Sequence, residues 1–143
     1  MFTMSEAKEI IKKFEESGIG VVPTYVGGEL IINTTPHEIN FGVGRKYCVE
    51  VVPPSVLINA TVEETVVAER GGVEFVKSTF SGNEEGEELI RKIYSIEKEV
   101  IIIGSIIAAQ AYPGKVFGMC PCPGFERVAP AEKRMSCEKF ITF

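Results

Sequence analysis

The sequence predicts an α+β fold: a mainly antiparallel sheet with two or three helices packed on it. Three observations predict it. The chain carries 16 Ile and 16 Val against only 3 Leu, a bias toward residues that suit a pleated, half-buried surface. Its middle is cut into short β-rich segments by Gly and Pro, the punctuation of antiparallel segments and turns. Two stretches, 3–17 and 84–96, instead repeat their apolar residues at helical spacing. A length of 143 residues, 45% apolar and 24% charged, fits a single globular domain with a sizeable core.

Taken in order, residues 3–17 read as an amphipathic helix. Thr3 and Glu6 fit a capping box and Gly18 a stop. Ala7, Ile10, Ile11 and Phe14 make its apolar stripe, and the opposite face is charged. Val21 to Val26 reads as an edge strand, because Pro23 interrupts it. Gly27-Gly28 turns it into a strand at Glu29–Asn33. Pro36 pushes Thr35 into an extended conformation. His37 to Phe41 and Tyr47 to Val52 then read as strands around a loop at 42–46. After Pro53-Pro54-Ser55, Val56–Ala60 and Val62–Arg70 carry strand signals. Gly71-Gly72 makes a second turn into Val73–Thr79.

The second helix, 84–96, is expected to start from a capping box of Ser81 and Glu84. Acids fill its first turns, and Glu87–Arg91 and Glu88–Lys92 stand at i,i+4. Leu89, Ile90, Ile93 and Ile96 form its buried stripe. Glu99–Ile103 reads as a central strand inside the longest uncharged apolar run, Val100 to Tyr112. Gly104-Ser105 permits a turn. Ile106–Tyr112 is Ala-rich enough for a short helix, ended by Pro113-Gly114; one long bent strand is the alternative. Val116-Phe117 reads as a short strand, Cys-Pro-Cys-Pro-Gly at 120–124 as loop, and Lys139–Phe143 as a last strand.

Composition narrows the function classes. The formal net charge is −5 and no basic run exceeds two residues, which disfavours a nucleic-acid partner. All 20 acidic residues are Glu, so any carboxylate chemistry must use Glu. Glu, Lys and Ile richness with few amides is the bias of hyperthermophile proteins; an AT-rich genome produces a similar skew. The N-terminus shows no apolar targeting segment. The 13-residue run at 100–112 is too short to span a bilayer as a helix. A soluble, cytoplasmic protein without membrane partner follows as the expectation.

Chemistry has few places to sit. Cys120, Cys122 and Cys137 lie within the last 24 residues, and Cys48 lies far upstream. Zinc modules usually show two paired motifs. Here Cys48 or His37 would have to complete the set, so the reading is no metal, with Cys120, Cys122, Cys137 and Cys48 as the candidates should one bind. A disulfide from Cys137 to Cys120 or Cys122 would tie down the C-terminal loop; free buried thiols are the alternative. His37 is the only histidine. It is the one candidate catalytic base, against a plainer role fixing a turn with Thr34 or Thr35. No Ser-His-acid order, HExxH motif or P-loop occurs. Gly42-Val-Gly44 lies between strands and gives no dinucleotide fingerprint. No cofactor is implied.

One resemblance spans roughly residues 31–143. The segment Asn33-Thr-Thr-Pro-His37, the Pro113-Gly-Lys-Val-Phe117 stretch after a small-residue run, and the Gly/Pro-rich loop before a final strand resemble a set of small phage-encoded proteins of unassigned function. Residues 1–30 then stand as an N-terminal helix and hairpin extension to a phage-like core. Cys-Pro-Cys-Pro replaces the Gly/Thr/Pro loop of that pattern. The resemblance implies an accessory protein of a virus or mobile element of a thermophilic archaeal host, and carries no activity with it.

Two functions are therefore expected. The leading one is non-enzymatic: binding of a host or viral protein, or self-assembly into a homo-oligomer. The alternative is a small-molecule or nucleotide binder or enzyme. Its site would join the His37 turn to the loop after Phe117, with Thr35, His37, Arg45, Ser105, Gln110 and Lys115 as ligand contacts.

Overall fold

A computed structural model describes residues 1–143. In chain order its elements are α1 (Met4–Ser17), β1 (Thr24–Val26), β2 (Glu29–Asn33), β3 (Ile39–Val43), β4 (Cys48–Val52), β5 (Thr61–Arg70), β6 (Val73–Ser81), α2 (Glu84–Ile96), β7 (Ile101–Ile103), α3 (Ile106–Ala111), β8 (Gly118–Pro121) and β9 (Met135–Ile141). A 3-10 turn covers Pro130–Glu132. The α+β class is as expected, with antiparallel pairings in the majority.

Two pairings are parallel, β2 with β7 and β3 with β9. One sheet runs β1-β2-β7 and a second β4-β3-β9-β8. The sheets join at a seam. Phe117 bridges Ile103 in parallel and donates its N–H to the Ile102 carbonyl at 2.8 Å, and the chain then runs into β8. Ile101–Ile103 is thus flanked by β2 on one side and Phe117 on the other, the central place expected for it. Beside this seam Asn33, which pairs with Ile103 and closes β2, donates its amide N–H to the Val52 carbonyl closing β4.

The curl of these strands encloses a small core of Val26, Ile31, Phe41, Val52, Ile103 and Cys137. Alternation along each strand sends its neighbours to the other face. There Leu30, Ile32 and Ile102 meet Ala7, Ile10 and Phe14 of α1, Ile90 and Ile93 of α2, and Ala108 and Tyr112 at α3. Each such large side chain, fully buried, contributes about 1.5–3 kcal/mol. The helices cover one side of the first sheet; α3 also reaches the start of β8, where the Ile106 side chain packs on Gly118.

Local sequence accounts for the helix ends. In α1 the Thr3 Oγ1 accepts the Glu6 N–H at 3.2 Å and the Glu6 carboxylate accepts the Thr3 N–H at 2.9 Å, the expected capping box. Gly18 stops the helix at φ 75°. At α2 the cap is Asn83, whose Oδ1 accepts the Gly86 N–H at 2.7 Å; Ser81 is instead the last residue of β6, paired with Thr61. Glu88–Lys92 forms at 3.4 Å. Glu87 leaves its i,i+4 neighbour and meets Lys115 at 3.1 Å, because the chain after α3 passes its open side.

The C-terminal quarter departs from expectation. Cys120 and Pro121 lie in β8 and not in a loop, since Met119 pairs with Phe140 and Pro121 with Met135 across a register shift. The last strand begins four residues early, at Met135. Residues 53–60 form no strand; the Ser55 and Ile58 N–H groups bond to the Asn33 and Thr34 carbonyls and lay this segment over the end of β2.

Candidate interaction surface

Strands β5 and β6 pair only with each other, from Thr61↔Ser81 to Arg70↔Val73. Their residues are those of strong β formers, Val, Phe and Thr. Gly71 and Gly72 both take positive φ, 57° and 82°, as a tight two-residue hairpin turn requires. A register shift at Val67 inserts one extra residue and raises the local twist. The product is an arm of 19 strand residues, all exposed but Phe80, which packs against the larger core at its root.

The arm is apolar on both faces. Cross-strand pairing places Val62 with Phe80 and Val66 with Val76 on one face. Past the bulge, Ala68 with Phe75 and Arg70 with Val73 stand on the other, where the Arg70 guanidinium lies 4.6 Å from the Phe75 ring centre. Val62, Val66, Val67, Val73, Phe75 and Val76 are 40–63% exposed. A two-stranded ribbon is marginal by itself in water, and its long unpaired edges invite another chain. Glu63, Glu64, Glu69 and Glu74 against Arg70 and Lys77 leave the arm acidic.

Its root is fixed by a buried side chain. Tyr112 is 0% exposed. Its hydroxyl accepts the Asn83 N–H at 3.0 Å and lies 3.2 Å from the Asn59 carbonyl, to which it donates. Asn59 precedes β5 and Asn83 follows β6, so one phenol ties both feet of the arm to α3.

A second feature lies on the outer face of the β4-β3-β9-β8 sheet. A cleft of about 540 Å³ is lined by Gly42, Gly44, Arg45, Tyr47, Cys122, Pro123 and Ser136–Lys139. Gly42 forms its floor: a Cβ there would come within 2.9 Å of the Cys122 Sγ and 3.0 Å of Tyr47. Tyr47 sits in the left-handed region at φ 46°, a costly place for a non-glycine residue, with its ring edge-on to Phe125 at 5.8 Å. Val49 and Val51 of β4 remain 43% and 46% exposed beside it.

The cysteines are all free, and the expected bridge from Cys137 to Cys120 or Cys122 is not made. The sheet separates two of them. Phe41 pairs with Met135 and Gly42 with Ser136, so Cys137 points with Phe41 into the small core, while Cys122 lies on the Gly42 side. Burial pushes both thiols up in pKa, with the Glu138 carboxylate adding to it. Cys48 is exposed and Cys120 half-buried. No three Cys, His or Glu side chains converge as a metal site.

The residues singled out for a ligand site are spread out. Asn33 and Thr35 build the turn before β3: the Asn33 amide donates to the His37 carbonyl at 2.7 Å, and its Oδ1 accepts the Thr35 N–H at 2.9 Å and lies 2.7 Å from the Thr35 hydroxyl. His37 gives this turn its backbone carbonyl and N–H, and its side chain is exposed. Ser105 caps α3 by accepting the Ala108 N–H at 3.1 Å. Gln110 is exposed on that helix. Arg45 lines the cleft over Gly42, and Lys115 lines a different one with Glu87, Arg91 and Tyr94. None of the principal clefts collects two of these residues.

Sequence reasoning passed over Phe75, Val66, Val76 and Tyr112. The signal was present: 62–70 and 73–79 are the longest strand segments, joined by a two-glycine turn and apolar on both faces. No family model, no curated protein and no solved structure matches this chain. No helix is long and apolar enough to cross a membrane.

Proposed function

We propose that the protein works by binding protein, its own kind or another, through the β5–β6 arm, and not by catalysis. The observation that carries this reading is the arm itself: 19 strand residues, apolar on both faces and exposed along its length beyond the Phe80 root. Exposed apolar surface of this extent and continuity marks an interaction site. The anchoring of both arm feet on Tyr112 presents it in a fixed direction, which lowers the cost of ordering on association. The resemblance to phage-encoded proteins is compatible with an accessory role of this kind in a virus or mobile element.

The test is a photo-crosslinking amino acid placed at Val66 or Phe75 in cells producing the protein, with Gln110 as the control position. Discrete protein adducts at the arm, lost on Val76→Glu and absent at Gln110, are expected. Adducts equal at all three positions, or none at the arm, overturn the reading.

A further inference from the structure

We infer that the arm's partner is the arm of a second copy of this chain, stacked so that the cationic face of one hairpin covers the acidic face of the next. This rests on the reading of the arm as a binding surface and names its occupant.

The charges of the arm are sorted by face. On one face, cross-strand pairs run from the tip as Arg70 with Val73, Ala68 with Phe75, and Thr65 with Lys77. On the other they run as Glu69 with Glu74, Val66 with Val76, and Glu64 with Ser78. These outer rows carry two cations on one side and three carboxylates on the other; Glu63 lies one row nearer the root on the cationic side. None of these charges has an ion-pair partner within the chain. Glu69 directly opposite Glu74 is unfavourable in an isolated hairpin, because like charges across a pair repel. A cationic surface laid over them offsets that repulsion.

The two faces also match in spacing, and this selects a second copy. Each presents a charged row, an apolar row and a charged row. The charged rows stand four residues of β6 apart on both faces, Val73 to Lys77 and Glu74 to Ser78, which is about 13 Å. Packed sheets lie about 10 Å apart, whereas a body of this length is roughly 35 Å across. Stacked arms must therefore run in opposite directions, with their bodies at opposite ends. Phe75 then rests on Val66 and Val76, Arg70 stands over Glu64, and Lys77 stands over Glu69 and Glu74. The contact joins unlike faces, so it is head-to-tail and leaves each arm one face for a further copy. A ribbon face of ten residues by two strands covers roughly 300 Å². That is well below the roughly 800 Å² per partner of a stable pair, so each contact is weak and assembly grows with concentration.

The test is sedimentation velocity of the purified full chain, from micromolar to near-millimolar concentration in low salt, where the charges act at longest range. A weight-average mass rising with concentration above the 15.7 kDa of one chain is expected. Phe75→Glu spoils the cationic face and Val66→Lys the acidic one. Each alone should weaken association at least tenfold, although each variant keeps its other face intact. Mixing the two should recover association, because each intact face finds its counterpart and the new carboxylate meets the new ammonium. Both positions are exposed, and circular dichroism checks that the fold is kept. A monomer at every concentration overturns the inference. So does a single variant that associates as the wild type does, which would mean that like faces meet, or a mixture that stays monomeric. A wild-type monomer whose arm still crosslinks to other proteins in cells removes the second copy and leaves the arm a binding surface.

Discussion

The Tyr112 hydroxyl accepts the backbone N–H of Asn83 at 3.0 Å and faces the Asn59 carbonyl at 3.2 Å, so a single phenol closes the base of the projecting hairpin. Tyr112→Phe keeps the ring and leaves both backbone groups without this partner. Asn59 and Asn83 are exposed residues, so water can reach the freed groups, and the loss should be that of ordinary hydrogen bonds, about 0.5–1.5 kcal/mol. Hydrogen exchange should rise at residues 59–61 and 81–83 more than in β2 or α1. Urea denaturation with peptide-resolved exchange measures both; an unchanged exchange pattern at the feet would show that the hydroxyl does not hold the arm.

Gly86 offers a test of sign. In an ordinary helix interior, Gly→Ala stabilises by up to about 1 kcal/mol. Here a Cβ on Gly86 would collide with the Tyr112 hydroxyl, and one on Gly82 with the ring. Gly86→Ala should therefore destabilise, by about 1–3 kcal/mol as overpacking does. Gly86→Ala combined with Tyr112→Phe should lose less than the two separate losses together, because the second change removes the hydroxyl, the nearer of the two Tyr112 atoms that the new Cβ meets, and leaves only the ring carbon at 2.7 Å. Four denaturation curves complete this double-mutant cycle.

Tyr94 gives the fold an alkaline limit. Burial raises its pKa from 10.0 to about 12, while its hydroxyl donates to the Lys115 carbonyl. The native state then holds a proton that the unfolded chain releases, so stability must fall as pH rises between about 10 and 12. The raised thiols of Cys122 and Cys137 act in the same direction from lower pH. Tyr94→Phe should flatten the fall above pH 10 and leave the thiol contribution. Melting temperatures from pH 8 to 12 for the two proteins resolve this, and parallel curves would count against it.

Both long helices were legible because each signal was local: a capping residue, an apolar stripe and, for α1, a glycine stop. The exception at α2 is instructive. Ser81 and Asn83 are both able caps, and the choice fell to Asn83 because β6 extends through Ser81 to pair with Thr61, a contact across 20 residues that no local pattern encodes. The parallel pairing of β3 with β9 joins Phe41 to Met135, and it moved the start of the last strand ahead of its most apolar residues. The thiols illustrate the same limit. Spacing put Cys122 and Cys137 near each other, and their separation by the sheet depends on the parity of that long-range register. The arm was readable as two strands and a turn, but its standing free of the body was not, since exposure depends on what fails to pack against it.

Asn33 allows the turn before β3 to be tested by charge. Its amide donates to the carbonyls of His37 and Val52, and its oxygen accepts the Thr35 N–H, at a position 0% exposed. Asn33→Asp preserves shape and the accepting oxygen but turns a second oxygen toward two carbonyls. Burial and this repulsion both disfavour the ionised carboxyl, so its native pKa should lie above that of the unfolded chain. The unfolded chain then binds fewer protons as pH rises through that interval, and stability must decline with rising pH. The variant should be closer to wild type near pH 4 than at pH 8, opposite to the trend of a salt-bridged carboxylate. Denaturant midpoints at the two pH values decide it: a variant equally stable at both would mean that the carboxylate reaches water and that the Asn33 amide does not hold β2 to β4.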